Sequence, residues 1–200
     1  RYTTIGSLVI LGIGLYLSFQ VNYMNYSFIA LLIGFLLSQI GIYFGNRWGR
    51  SPRPDESISQ SLKGLDGKYT LYHYKAPVPH LLIGPAGIIV ILPYSQGGTI
   101  IYNESKNRWQ QKGGNWYLKI FAQESLGRPD LEVESYVEDV QRFISKNLPD
   151  ASLPPVKAVM VFTNPKVSLE VENAPVDTIA VDKLKDYIRK KSKSEPASLE

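Results

Sequence analysis

The run Tyr26 to Phe44, YSFIALLIGFLLSQIGIYF, holds 19 residues without a charge. No other feature limits the fold of this chain as much. At 1.5 Å per residue, such a helix is long enough for one bilayer crossing. A second charge-free run, Ile5 to Phe19 (IGSLVILGIGLYLSF), precedes it, and Thr3, Thr4, Gln20 and Val21 extend that run toward the interfaces. A short polar turn, Gln20 to Asn25, joins the two and carries Tyr23 at the boundary. The pattern predicts a transmembrane helical hairpin over residues 1–50, with spans at about 3–21 and 26–44. A signal peptide would instead show one apolar core and a small-residue cleavage site. A buried helical pair in a soluble core would need a polar face, which neither run has.

Charge sets the expected orientation. Arg1 precedes the first run, and Arg47, Arg50 and Arg53 follow the second. An excess of basic residues marks the cytoplasmic side, so the N-terminus and everything after Arg53 are expected there. Tyr43, Trp48 and the three arginines then form a membrane-surface belt, with the lipid bilayer as first partner. Gly34, Ser38, Gly41 and Gly45 recur at spacings of 4, 3 and 4 on one side of the second run. Small residues let helices approach closely in lipid. Two readings stand: packing against the first run, or docking onto another membrane protein subunit.

Three of the 22 basic residues and none of the 18 acidic ones lie in positions 1–50. The remainder therefore has 19 basic against 18 acidic residues, a net of +1. A pI near 9.1 does not then signal a nucleic-acid surface, and nucleic acid is an unlikely partner. The absence of cysteine excludes disulfides, thiol catalysis and thiolate metal sites. The chain begins at Arg1 rather than Met, so a few upstream residues are expected.

Beyond a stiff linker at 51–54 (Ser51-Pro52-Arg53-Pro54), the pattern is that of a mixed α/β domain over 55–191. A helix is expected from Asp55 or Ser57 to about Leu65, ended by Gly67. Tyr69 to Tyr74 alternates as a strand does. Leu81–Ile83 and Gly87–Leu92 flank the turn Gly84-Pro85-Ala86-Gly87, and Ile88 to Leu92 is apolar on both faces, as in a central strand. Pro93 lacks a ladder donor, so the strand should stop or reach an edge there. Thr99–Tyr102 is a further strand. Asn103 to Gly114 reads as polar connection, with Trp109 and Trp116 as packing anchors. Val133, Tyr136, Val137, Val140, Phe143 and Ile144 mark an amphipathic helix over Pro129–Asn147. Val156–Phe162 and Thr178–Val181 are strands, Asp182 is an N-cap, and Lys183–Lys191 a closing helix. A disordered tail is expected over 192–200.

These residues resemble one family, the nuclease-related domain (NERD), a branch of the PD-(D/E)XK nuclease-like fold. The specific part is the hairpin PHLLIGPAG (Pro79 to Gly87). Supporting features follow in family order: Glu56 opening the first helix before Leu62 and Leu65, the step Gly98-Thr99-Ile100, Trp109, the Pro-led helix from Pro129, and VMVFTN (Val159 to Asn164). The resemblance covers about residues 55–191, and such domains are often attached to membrane helices. The family's chemistry implies a carboxylate at the hairpin base and Glu-x-Lys at the end of the next strand. Phosphodiester cleavage needs hard oxygen ligands on a divalent cation and a positive group beside the attacking water. Here the Asp falls at Pro79, the Glu at Leu92 and the Lys at Tyr94, and none can do the work required. A family helix Gln aligns loosely with Glu132. Glu56 alone matches an acidic position. The resemblance thus implies the fold and a catalytically silent core, with no metal and no cofactor.

Other chemistry has weaker signals. His73 and His80, the two histidines, stand near the hairpin base, either as a metal pair or as hydrogen-bonding side chains. The GPAG glycines are read as backbone geometry rather than a phosphate loop. Lys112 to Trp116 is a basic-aromatic loop, read as a protein contact or a plain surface loop, because a net charge of +1 gives weak attraction for nucleic-acid phosphates. Arg189, Lys190, Lys191 and Lys193 either lie on anionic lipid or complement a helix dipole. The leading expectation is a membrane-anchored interaction or scaffold protein, an accessory subunit of a membrane complex. The alternatives are a metal-dependent nuclease with a relocated site among Glu56, Asp66, Glu132 and Glu134, and a nucleic-acid-binding relic.

Overall fold

A computed structural model describes residues 2–49, 52–114, 126–149 and 155–197. Trp116, Arg50 and Ser51, and the side chains of Arg47 and Trp48, lie outside the described residues. The chain divides into two compact units, Arg1–Pro54 and Asp55–Glu200.

The first unit is a helical hairpin. Helix α1 spans Tyr2–Ser18, a single 3-10 turn spans Val21–Tyr23, and α2 spans Met24–Trp48. The first helix stops short of residue 21 because Phe19 and Gln20 turn their N–H groups back to Tyr16 and Leu17. Val21–Gly45 is long and apolar enough to cross a membrane, whereas α1, apolar over Ile5–Ser18, is shorter than that standard. Buried positions recur every seven residues: Ser7 and Gly14 on α1, Ser27, Gly34 and Gly41 on α2. A seven-residue repeat keeps one seam facing the partner helix. The small side chains let the backbones meet. A Cβ on Gly34 would stand 2.8 Å from Leu11 Cγ, and one on Gly14 would stand 2.9 Å from Leu31 Cγ. Ser27 Oγ donates to the Gly14 carbonyl at 2.7 Å inside this seam.

The second unit is mixed α/β. Helix α3 (Pro54–Ser61) precedes β1 (Thr70–His73), β2 (His80–Gly84) and β3 (Gly87–Tyr94), an antiparallel meander. Strands β4 (Gly98–Asn103) and β5 (Arg108–Lys112) form a second hairpin. Helix α4 (Pro129–Asn147) leads to β6 (Val156–Phe162), then β7 (Val167–Glu170), β8 (Asp177–Ala180) and α5 (Leu184–Ser194). One sheet has the order β1-β2-β3-β6-β8 and the other β5-β4-β7. Strands β3 and β6 are parallel neighbours and leave the first sheet together. Thr163 N–H donates to the Tyr94 carbonyl at 2.8 Å, and Asn164 Nδ2 to that of Ser95 at 3.2 Å. They re-pair in the second sheet as β4 and β7, also parallel.

Strand β3 is buried at every position but Pro93, so its two faces feed two cores. Val90, Leu92 and Tyr94 join Val133 and Val140 of α4 with Met160 and Phe162. Ile89 and Ile91 join Ile58 of α3 with Leu184 and Ile188 of α5. Burying a side chain of this size stabilises by about 1.5–3 kcal/mol, and this double-faced burial is what a central strand requires.

Several expectations need correction. Helix α3 ends at Ser61 rather than near Leu65, and the reversing glycine is Gly64 (φ +79) rather than Gly67. The polar stretch after Asn103 contains β5, with Trp109 buried. Asp182 sits inside a 3-10 turn, Val181–Lys183, and does not cap α5, whose N-cap is Lys183. The tail is ordered as far as Ala197: α5 runs to Ser194, Glu195 pairs with Lys157 at 2.6 Å, and Ala197 N–H donates to the Pro85 carbonyl at 3.0 Å. Strand β3 does not stop at Pro93. Consecutive residues of a strand turn their backbone groups to opposite sides. Tyr94 points its carbonyl to the β6 side, so Pro93 faces the other way. There the ladder with β2 ends at Leu81–Val90, and the missing donor breaks no bond.

Candidate functional site

The end of β3 is where the resemblance places metal chemistry. Leu92 is 2% exposed and lies among apolar side chains. Tyr94 is also buried, with its ring stacked on Phe162 at 5.4 Å between centroids. Its hydroxyl donates to Glu132 Oε2 at 2.7 Å. Burial, then the hydrogen bond to Glu132, pushes the phenol well above its usual range, so Tyr94 is a neutral donor. Pro79 closes the β1–β2 hairpin, accepting the Tyr74 N–H at 2.8 Å.

Glu56 is exposed on α3, whose buried Ile58 packs in the core on the opposite face of the sheet from Leu92 and Tyr94. The four positions that the resemblance picks out, Glu56, Pro79, Leu92 and Tyr94, therefore do not converge. Glu132 is instead committed to Tyr94. Among the described residues no three His, Asp or Glu side chains are grouped to hold a metal ion.

The two histidines do come together. His73 and His80 face each other across β1 and β2, with Nδ1 to Nδ1 at 2.7 Å and ring centroids 4.8 Å apart. One nitrogen donates and the other accepts, so the pair shares one proton at that contact. Ser59 Oγ of α3 lies 2.8 Å from His73 Nε2. His80 is fully buried. Burial lowers the His73 pKa below its ordinary 6.5, against an opposing effect of Asp55. The chain Ser59, His73, His80 ties α3 to the β1–β2 hairpin. The spacing of seven residues would have shown this pair only together with the hairpin register.

The GPAG glycines each have a steric reason. The ring of Tyr69 covers Gly84, where a Cβ would collide with that ring, and Gly87 takes φ +97. Of the small stripe, Gly34 and Gly41 are buried, Ser38 is part-exposed with its hydroxyl turned onto the Phe35 carbonyl, and Gly45 faces open space. Sequence reading missed the partner seam residues Ser7, Gly14 and Ser27, although their seven-residue spacing was visible. It also missed a cleft of about 420 Å³ between β5 and the start of α4, lined by Arg108, Trp109, Gln110, Gly127, Arg128 and Asp130. Arg128 and Asp130 form an ion pair at 2.8 Å there, and the arginine holds the Asp130 carboxyl below its usual value.

No family model, no curated protein and no solved structure matches the chain.

Proposed function

We propose that the chain is a membrane-anchored, catalytically silent NERD-like protein, whose α/β domain serves as an interaction or scaffold module for other membrane protein subunits. Both helices of the hairpin span the bilayer in this reading, and the N-terminus and the domain lie in the cytoplasm. The loss of catalysis is carried by one observation: the positions for Glu and Lys are Leu92 and Tyr94, and both are core side chains. Anchoring is supported by the outer faces of the hairpin. Ile5, Leu8, Val9, Tyr16, Phe28, Leu32 and Phe35 are each at least half exposed. A patch of this kind is costly in water and suited to lipid.

Two measurements test this. The purified full chain should leave DNA and RNA intact in Mg²⁺ or Mn²⁺; cleavage that disappears in Glu56→Ala would overturn the silent-core reading. The chain should resist alkaline extraction from membranes and co-purify with defined subunits in mild detergent. Recovery in the soluble fraction would remove the anchor.

A further inference from the structure

The basic residues of the closing helix are not equivalent. Lys191 is only 25% exposed and spends its charge on Asp177 at 3.1 Å and Glu195 at 3.5 Å. Arg189, Lys190 and Lys193 are exposed, and Lys185 is half-buried. At about 100° per residue, Lys185, Arg189, Lys190 and Lys193 fall on one arc of roughly 140°, opposite the buried Leu184 and Ile188. That arc adjoins the turn after α3. Lys185 Nζ donates to the Lys63 carbonyl at 3.1 Å, and Arg189 to that of Gly64 at 3.4 Å. Exposed Lys63 thereby joins the same surface. The nearby acids do not balance it. Asp186 lies 4.0 Å from Arg189, and Asp66 accepts the backbone N–H of Lys68. Five cations thus stand against two carboxylates, in a unit whose net charge is close to zero.

From this arrangement we propose that the outward face of α5, with Lys63, binds the headgroups of an anionic lipid surface. The inference rests on the anchored reading above. Only residues 49–53 separate α2 from α3, and a chain segment that short reaches no further than about 20 Å. The start of α3 is therefore tethered closely in sequence to the end of the anchor. A basic cluster beside a membrane anchor is attracted to acidic headgroups, by roughly fivefold in association per cation. A dipole role for these residues explains Lys191 and Lys193 at the last turn, but not Lys185 at the first turn or Lys63 on another element.

The chain has no cysteine, so Ser192→Cys, at the edge of the arc, gives a single attachment point for a fluorophore. The full chain is placed in nanodiscs of phosphatidylcholine, or of phosphatidylcholine and phosphatidylserine at about 7:3, with a headgroup-attached quencher. Quenching should appear with phosphatidylserine, fall as salt shortens the electrostatic range, and vanish in Lys185→Glu/Lys190→Glu/Lys193→Glu. The triple Lys→Arg variant should keep it. Equal quenching in both lipids, or quenching that survives charge reversal, overturns the proposal, as does binding of single-stranded RNA by this face without any lipid effect. A chain that fails to enter nanodiscs removes the anchor and this inference together. A chain that enters without lipid-dependent quenching removes this inference alone.

Discussion

Placing a glutamate where the resemblance expects one, by Leu92→Glu, should unfold the domain. Leu92 is 2% exposed and surrounded by Val90, Val140, Met160 and Phe162 in one apolar core. Its burial contributes about 2–3 kcal/mol, which the substitution removes. Glutamate has a similar volume, so no cavity term follows. The carboxyl must instead be buried neutral. Deeply buried glutamates reach pKa values of about 8–9, against about 4.3 when unfolded. A raised folded-state pKa means that the ionisation deficit is absent below about pH 4.3 and grows by about 1.4 kcal/mol per pH unit above it, up to the folded pKa. At pH 7.5 this adds about 4 kcal/mol, for a total of about 6–7, comparable with the whole stability of an ordinary domain. At pH 5 the total is near 3–4. Urea unfolding of the full chain in mild detergent, followed by near-UV circular dichroism, reads this as a shift in midpoint. Leu92→Met is the control and should cost under about 1.5 kcal/mol. If Leu92→Glu stays within about 1 kcal/mol of the parent at pH 7.5, or shows a deficit independent of pH, the core assignment is wrong.

Other substitutions give smaller, separable effects. Tyr94→Phe keeps the stack on Phe162 and loses only the hydrogen bond to Glu132; because Glu132 can be rehydrated, the cost should be about 0.5–1.5 kcal/mol in the same unfolding assay. His73 has a depressed folded-state pKa, so its contribution is present above pH 6.5 and is lost as pH falls through the folded value. Comparing urea midpoints at pH 7.5 and 5.5, His73→Gln should show a smaller drop than the parent. In the hairpin, Gly34→Ala drives a Cβ against Leu11 and should weaken helix pairing by about 1–3 kcal/mol, whereas Gly45→Ala has nothing to meet. Disulfide crosslinking between introduced cysteines on α1 and α2 would show the contrast, and equal loss in both variants would contradict the seam.

The parts of the fold that could be read were those with a repeated local signal. Helix α4 matches its expected bounds because Val133, Tyr136, Val137 and Val140 repeat at the helical period. The β2–β3 hairpin was legible because two apolar runs flank a turn. Strand β5 was not, since RWQQK buries only Trp109 and four of its five residues are polar or charged. Strand β7 is four residues long and half exposed, so its place is decided by β4 rather than by its own sequence. In the site, the presence of Pro79, Leu92 and Tyr94 where the resemblance expects Asp and Glu-x-Lys was visible residue by residue. What replaced them was not. The Tyr94–Glu132 bond joins positions 38 apart, and the His73–His80 contact depends on the register of two strands. In the hairpin, the stripe of four small residues on one helix concealed the two-helix repeat, because spacings of 3 and 4 contain the spacing of 7.

Pro93 lies where β2 has turned away and β3 runs on with only one neighbour. An open strand margin of this kind is a template onto which a foreign strand can add, within one protein or between copies. Such addition needs an unbroken series of donors, and here the series is interrupted by a ring that also projects into the space an incoming backbone would occupy. The corner can therefore admit side chains or a loop while refusing a ladder. That single imino acid therefore works against strand addition at this end of β3.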